Sequence, residues 1–166
     1  LLKLNKNCIN LIRLDSLYSA SNIGKIKVAF DFPEEFGCKS VVYHQTGISI
    51  WNKDKLNPLD LDLLGNRALF LQLFIRGNPF KSSITNDEPW AMAINQLQQL
   101  NLLSGLVVYG CPYLWDDLNK VLLPSIPAVF SPGQMPEAQK EVFSVLFHPK
   151  VKSRNLIINN FNLFTS

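Results

Sequence analysis

The sequence predicts an α/β fold, a three-layer sandwich with a mostly parallel sheet and helices on both faces. Three apolar runs carry the prediction: residues 68–75 (ALFLQLFI), 105–109 (GLVVY) and 126–130 (IPAVF). None shows the strict alternation of a half-exposed strand, and a nearly unbroken apolar run is what burial on both faces requires. Each run stops at a breaker, in RGNP, GCP and SPG respectively. Each breaker is followed by a stretch of helical periodicity with proline near its start. Strand and helix alternating through short links imply right-handed crossovers and parallel pairing.

The remaining elements follow in chain order. Residues 8–15 (CINLIRLD) read as a first strand, and 19–24 as a turn. Residues 25–31 (KIKVAFD) alternate charged and apolar side chains at their start, which predicts a half-exposed or edge strand. Short apolar runs at 40–44 and 47–51 predict two more strands. Residues 52–66, with two lysines, Pro58 and alternating Leu and Asp, read as loop with a helical turn. After residues 68–75, acidic residues and Pro89 open a helix in which Trp90, Ile94, Leu97 and Leu100 share a face. Further helices are expected at 113–122 and from Met135 through Phe147. Trp90 and Val142 are expected to face the sheet. The whole chain, 1–166, reads as one α/β domain, with its strongest pattern at 68–147 and a C-terminal extension at 148–166. A chain of this length buries roughly 70% of its unfolded surface and needs no metal or disulfide staple.

Composition narrows the function. Hydrophobic residues make up 47% and charged residues 17%, the balance of a well-buried globule. A net charge of +3 is too small to argue for nucleic acid, and the tightest basic group, Lys150, Lys152 and Arg154, reads as a solvated terminus. Three cysteines, Cys8, Cys38 and Cys111, cannot all pair within one molecule and show no Cys-x-x-Cys spacing. Thiols are expected, with Cys8 and Cys111 packed as small hydrophobes, and the cytoplasm is the favoured compartment. No apolar run approaches a membrane span, and the first residues lack the apolar core of a secretory signal. The chain starts at Leu1 without an initiator Met, as a fragment or a trimmed chain would. Neither Gly-x-Gly-x-x-Gly nor Gly-x-x-x-x-Gly-Lys occurs, and no His or Cys group has metal-ligand spacing, so no cofactor or metal is expected.

The order GLVVYGCPYL (105–114), IPAVF (126–130), PEAQ (136–139) and VLF (145–147) resembles the C-terminal α/β sandwich domain of glycoside hydrolase family 3. In that family a strand ends in a Gly-x-Pro-Tyr turn, a later strand ends near an aromatic, and an Ala-containing helix closes on Leu-Phe. The nearest subset is the bacterial β-N-acetylglucosaminidase-like branch, where this domain follows a catalytic barrel. Here His148-Pro149 stands where the family's closing helix ends in Gly. The resemblance implies that the Asp nucleophile, and in this branch the acid/base group too, belong to the barrel, which has no counterpart in this chain. It therefore implies a non-catalytic companion domain that packs against a barrel domain or subunit and borders its carbohydrate cleft, inactive in isolation. The alternative is a stand-alone domain that binds a protein or small ligand at the strand ends.

Retaining glycoside hydrolysis needs two carboxyl groups roughly 5 Å apart. Loop candidates are Asp31, Glu34, Glu35, Asp87 and Glu88. In the glucosidase branch a Glu of this domain serves as acid/base, which makes Glu34 and Glu35 the catalytic candidates; their plain reading is a solvated acidic loop. Asp87 and Glu88 have sufficient work at a helix N-terminus, and His44 and His148 read as structural. The loops after the three best strands should emerge at one edge of the sheet, where open α/β sheets meet ligands. They make Arg76, Asn78, Tyr113 and Gln134 the expected contacts to a ligand or to another domain. Arg76 stands out, because a lone Arg ending an apolar strand either pairs with a carboxylate or contacts something outside.

Overall fold

A computed structural model of the chain describes residues 1–15, 26–76 and 88–147. The elements run β1 (Cys8–Leu14), α1 (Lys27–Glu35), β2 (Lys39–His44), β3 (Ala68–Phe74), α2 (Trp90–Gln99), β4 (Leu103–Tyr109), α3 (Pro112–Val121), β5 (Ala128–Ser131) and α4 (Pro136–Phe147). The five strands form one sheet in the order β2-β1-β3-β4-β5, and all four pairings are parallel. The three apolar runs that predict the sheet are therefore neighbours within it.

Helices cover both faces. Ile9, Leu11, Leu69, Leu71, Leu73, Leu106, Val108 and Phe130 pack on one side with Trp90, Ile94 and Leu97 of α2 and Leu114, Trp115 and Leu118 of α3. Phe70, Phe74, Val107, Tyr109 and Val129 pack on the other with Ala29 of α1 and Val142, Phe143 and Leu146 of α4. Successive strand residues thus divide between two cores, which is why these strands are apolar without alternation. Trp90 and Val142 both reach the sheet, from opposite sides.

Two expected strands are not strands. Of the stretch 25–31, residues 27–31 belong to α1, in which buried Ile26, Ala29 and Pro33 fall at helical spacing while Lys27 and Asp31 form an exposed i,i+4 ion pair of 2.9 Å. The charged-apolar alternation covers too few residues to distinguish a period of two from one of 3.6. Residues 47–51 are not a strand either; only Trp51 pairs, with Leu59, in an isolated antiparallel bridge. This segment leads into the turns at 60–66 and covers the sheet beside β2. It is held there by Gln96 of α2, whose Oε1 accepts from Leu59 N (2.9 Å) and whose Nε2 donates to Leu59 O (3.1 Å).

Pro33 inside α1 has a further consequence. It has no N–H to give the carbonyl of Ala29, one turn earlier. That carbonyl accepts instead from Asn10 Nδ2 (2.9 Å) and Gln72 Nε2 (2.7 Å), side chains of β1 and β3 that are fully buried. Gln72 also donates to Asn10 Oδ1 (2.8 Å) and accepts from the Tyr109 hydroxyl (3.2 Å). Gln139 of α4 accepts from Ala29 N at 2.8 Å. A polar network therefore locks α1 to the sheet and to α4 inside an otherwise apolar layer, with its members mutually satisfied.

Candidate functional site at the carboxyl edge of the sheet

In the order 2-1-3-4-5 the chain reverses its direction of travel between β1 and β3. The carboxyl ends of those two strands form the switch point where doubly wound sheets take ligands. Arg13 of β1, in register with Leu73 of β3 and Tyr43 of β2, lies there with only 2% of its surface exposed. Its Nε donates to Glu88 Oε2 at 3.0 Å, and its Nη1 donates to Phe74 O at 3.2 Å and to Asp15 Oδ1. Glu88 is equally buried and also accepts from Trp90 Nε1 at 2.8 Å. The other Asp15 oxygen accepts from Arg76 N at 3.2 Å and so ties the ends of β1 and β3. One guanidinium thus serves two carboxylates, a buried one and one at the surface, and pins the start of α2 to β1.

An aromatic row flanks this cluster. Trp51 Nε1 donates to the Tyr43 hydroxyl at 2.9 Å, and the Trp51 ring meets Trp90 edge-on at 4.8 Å. Burial, with the nearby Glu88 charge adding to it, raises the Tyr43 pKa above its ordinary value. Tyr43 is thus held as a neutral phenol.

The residues expected at this edge take different parts. Gln134 is engaged in the structure: its Nε2 reaches the carbonyls of Ile75 (3.2 Å) and Tyr109 (3.3 Å), which end β3 and β4. Gly110 makes room for it. At φ +89°, an added Cβ would lie 2.3 Å from Gln134 Nε2 and 2.7 Å from Ile75 O. Arg76 follows β3 and is exposed, and among the described residues its guanidinium has no carboxylate partner. Tyr113, in the first turn of α3, is 64% exposed. Asn78 lies outside the described residues, as do Asp87 and His148.

Glu34 and Glu35 sit elsewhere. Because residues 27–31 join a helix rather than a strand, both end α1 and lie at the amino edge of the sheet, where β2 begins. Both are exposed, and Glu34 Oε1 accepts from Ser40 N at 3.4 Å. Glu88, expected to serve at a helix N-terminus, stands just before α2 and is also the buried partner of Arg13. Pro89 correspondingly precedes α2 instead of occupying its first turn. Among the described residues no group of three or more His, Cys, Asp or Glu could hold a metal ion, and no helix is long and apolar enough to cross a membrane.

These features define a doubly wound α/β domain whose switch point is bound by an internal ion pair. A family model described as the bacterial glycosyl hydrolase family 3 C-terminal domain matches residues 1–148. The chain belongs to that family, a companion domain of glycoside hydrolases. Comparison with curated proteins found no match.

Proposed function

We propose that this chain is a non-catalytic companion domain of a family 3 glycoside hydrolase, nearest the β-N-acetylglucosaminidase branch, that packs against a catalytic barrel and borders its substrate cleft. One observation carries the reading. The carboxylates at the switch point, Asp15 and Glu88, are both committed to Arg13, and Glu88 is shut away from any substrate. A retaining glycosidase needs one carboxylate and one carboxylic acid facing the same glycosidic bond, and of this pair only Asp15 reaches the surface. Arg76 and Tyr113, exposed on the same edge, supply a cation and an aromatic face for a barrel loop or a sugar ring.

The test has two arms. The isolated chain is expected to hydrolyse neither 4-nitrophenyl β-N-acetylglucosaminide nor the β-glucoside above background. Robust turnover abolished by Glu34→Gln or Glu35→Gln overturns the reading. Sequencing the reading frame upstream of Leu1 is expected to reveal a catalytic barrel, and a start codon there with no barrel would favour a stand-alone interaction domain.

A further inference from the structure

A groove of about 640 Å³ runs along β2 at the edge of the sheet, from Lys39 to Tyr43 and His44, and none of Arg13, Glu88, Arg76 and Tyr113 lines it. We propose that it binds a small amphipathic anion, an apolar chain or ring system carrying a carboxylate, sulfonate or phosphate head. The inference does not depend on the companion-domain reading, because it uses none of the residues that carry that reading.

The residues build the groove in a definite sense. Lys39, Val41 and Tyr43 alternate along β2 and, by register with Ile9, Leu11 and Arg13, share one face. Ile9, Val41, Ile50 and Leu64 supply apolar walls, and Ile48 and Leu63 stand at the opening, 83% and 54% exposed. Gly47 closes against His44: a Cβ there would lie 2.8 Å from the imidazole Nε2. Lys39 and Arg67 supply the charge, both from the amino edge of the sheet, one beginning β2 and the other preceding β3. No carboxylate lines the groove, and among the described residues neither cation has an ion-pair partner.

Two unpaired cations at one end of an apolar trough select a ligand with the complementary division. The volume falls within the range of roughly 300–1,000 Å³ usual for small-molecule sites. β2 spans about 17 Å at strand rise, room for a head at Lys39 and Arg67 and an apolar body along Val41 and Ile50. Exposed Ile48 and Leu63 are costly in water and profitable against such a body.

The probe is 8-anilinonaphthalene-1-sulfonate, which joins an aromatic body to an anionic head. Titrated into the full chain it is expected to show saturable, one-to-one fluorescence enhancement, displaced by decanoate but not by decyltrimethylammonium. Lys39→Glu combined with Arg67→Glu should weaken it by about tenfold or more, and Ile48→Glu should also weaken it. Lys120→Glu, on α3 and outside the groove, should leave it unchanged. Lys39→Gln with Arg67→Gln removes the charge without reversing it and keeps the test valid where the reversal variant does not fold, with near-UV circular dichroism reporting folding. Equal displacement by the cationic amphiphile overturns the proposal. So does unchanged probe affinity in a folded charge variant, or a dimer that the probe dissociates, since a second copy would then be the occupant.

Discussion

At the scale of single residues, Arg13 shows how much one charge decides. Removing it leaves Glu88 buried without its cation, so Arg13→Met is expected to destabilise the fold by about 3–5 kcal/mol in urea denaturation. Adding Glu88→Gln to that variant should recover part of the loss, because the stranded charge is the main cost. The cysteines make a second case. All three are free and buried, and Cys38 lies beside Cys8. Burial first, and the neighbouring Cys8 thiol next, push the Cys38 pKa from 9.0 up to about 12. An acid with a raised folded pKa keeps its proton longer in the folded state, so the folded chain binds more protons between about 9 and about 12. Stability therefore falls as pH rises through that window. Urea midpoints measured from pH 8 to 11 should decline, and Cys38→Ala should decline less steeply. Alkylation without reductant should mark all three cysteines only on unfolding, with no two-dalton deficit.

At the scale of elements, α1 owes its place to a polar network that compensates for its own proline. Gln72→Leu would leave Ala29 O with one donor and strip a partner from both Asn10 Oδ1 and the buried Tyr109 hydroxyl. A loss of about 2–3 kcal/mol is expected, read from equilibrium denaturation. Hydrogen exchange of α1 amides should accelerate in the same variant more than that of α2 amides, since α2 packs on the other face. The β4–α3 junction is stiff for a different reason. Gly110→Ala meets both an unfavourable φ and the Gln134 amide, and should cost about 1–3 kcal/mol. The companion change Gln134→Ala should recover only part of it, because Ile75 O remains 2.7 Å from the new Cβ.

At the scale of the whole molecule, the two ends of the sheet do different work. Arg13 occupies the carboxyl edge between β1 and β3, so the ligand position of a doubly wound sheet is used to join strands and α2. The free polar groups described there, Arg76 and Tyr113, face outward, as docking to another domain requires. Neither Arg76 nor Tyr113 lines the groove on β2. Arg76→Glu is expected to leave the unfolding free energy from urea denaturation within about 0.5 kcal/mol of the parent, as an exposed position should. On the companion-domain proposal, the same change should weaken association of the domain with a catalytic barrel, measured by limited proteolysis of the junction.

The strands β3, β4 and β5, their parallel pairing and the helices after them were legible in the sequence, because burial on both faces leaves a nearly continuous apolar run in each strand. The membership of Gln134 and Tyr113 in one edge followed from that, since every parallel strand ends on the same side. The character of the stretch at 25–31 was not legible: mixed charge over so few residues fits either period, and burial of Ile26 and Ala29 in the second core selects the helix for residues 27–31. That selection places Glu34 and Glu35 at the edge of the sheet opposite Arg76, Tyr113 and Gln134. The rule that singles out Arg76, a lone cation in an apolar strand, applies with greater force to Arg13, which lies inside its run. Its partner, however, is 75 residues away, and no local pattern names it. Patterns of burial are written along the chain because each strand meets water or core residue by residue. The pairing of buried charges is decided by which strands the fold makes neighbours, and that is a property of the tertiary structure alone.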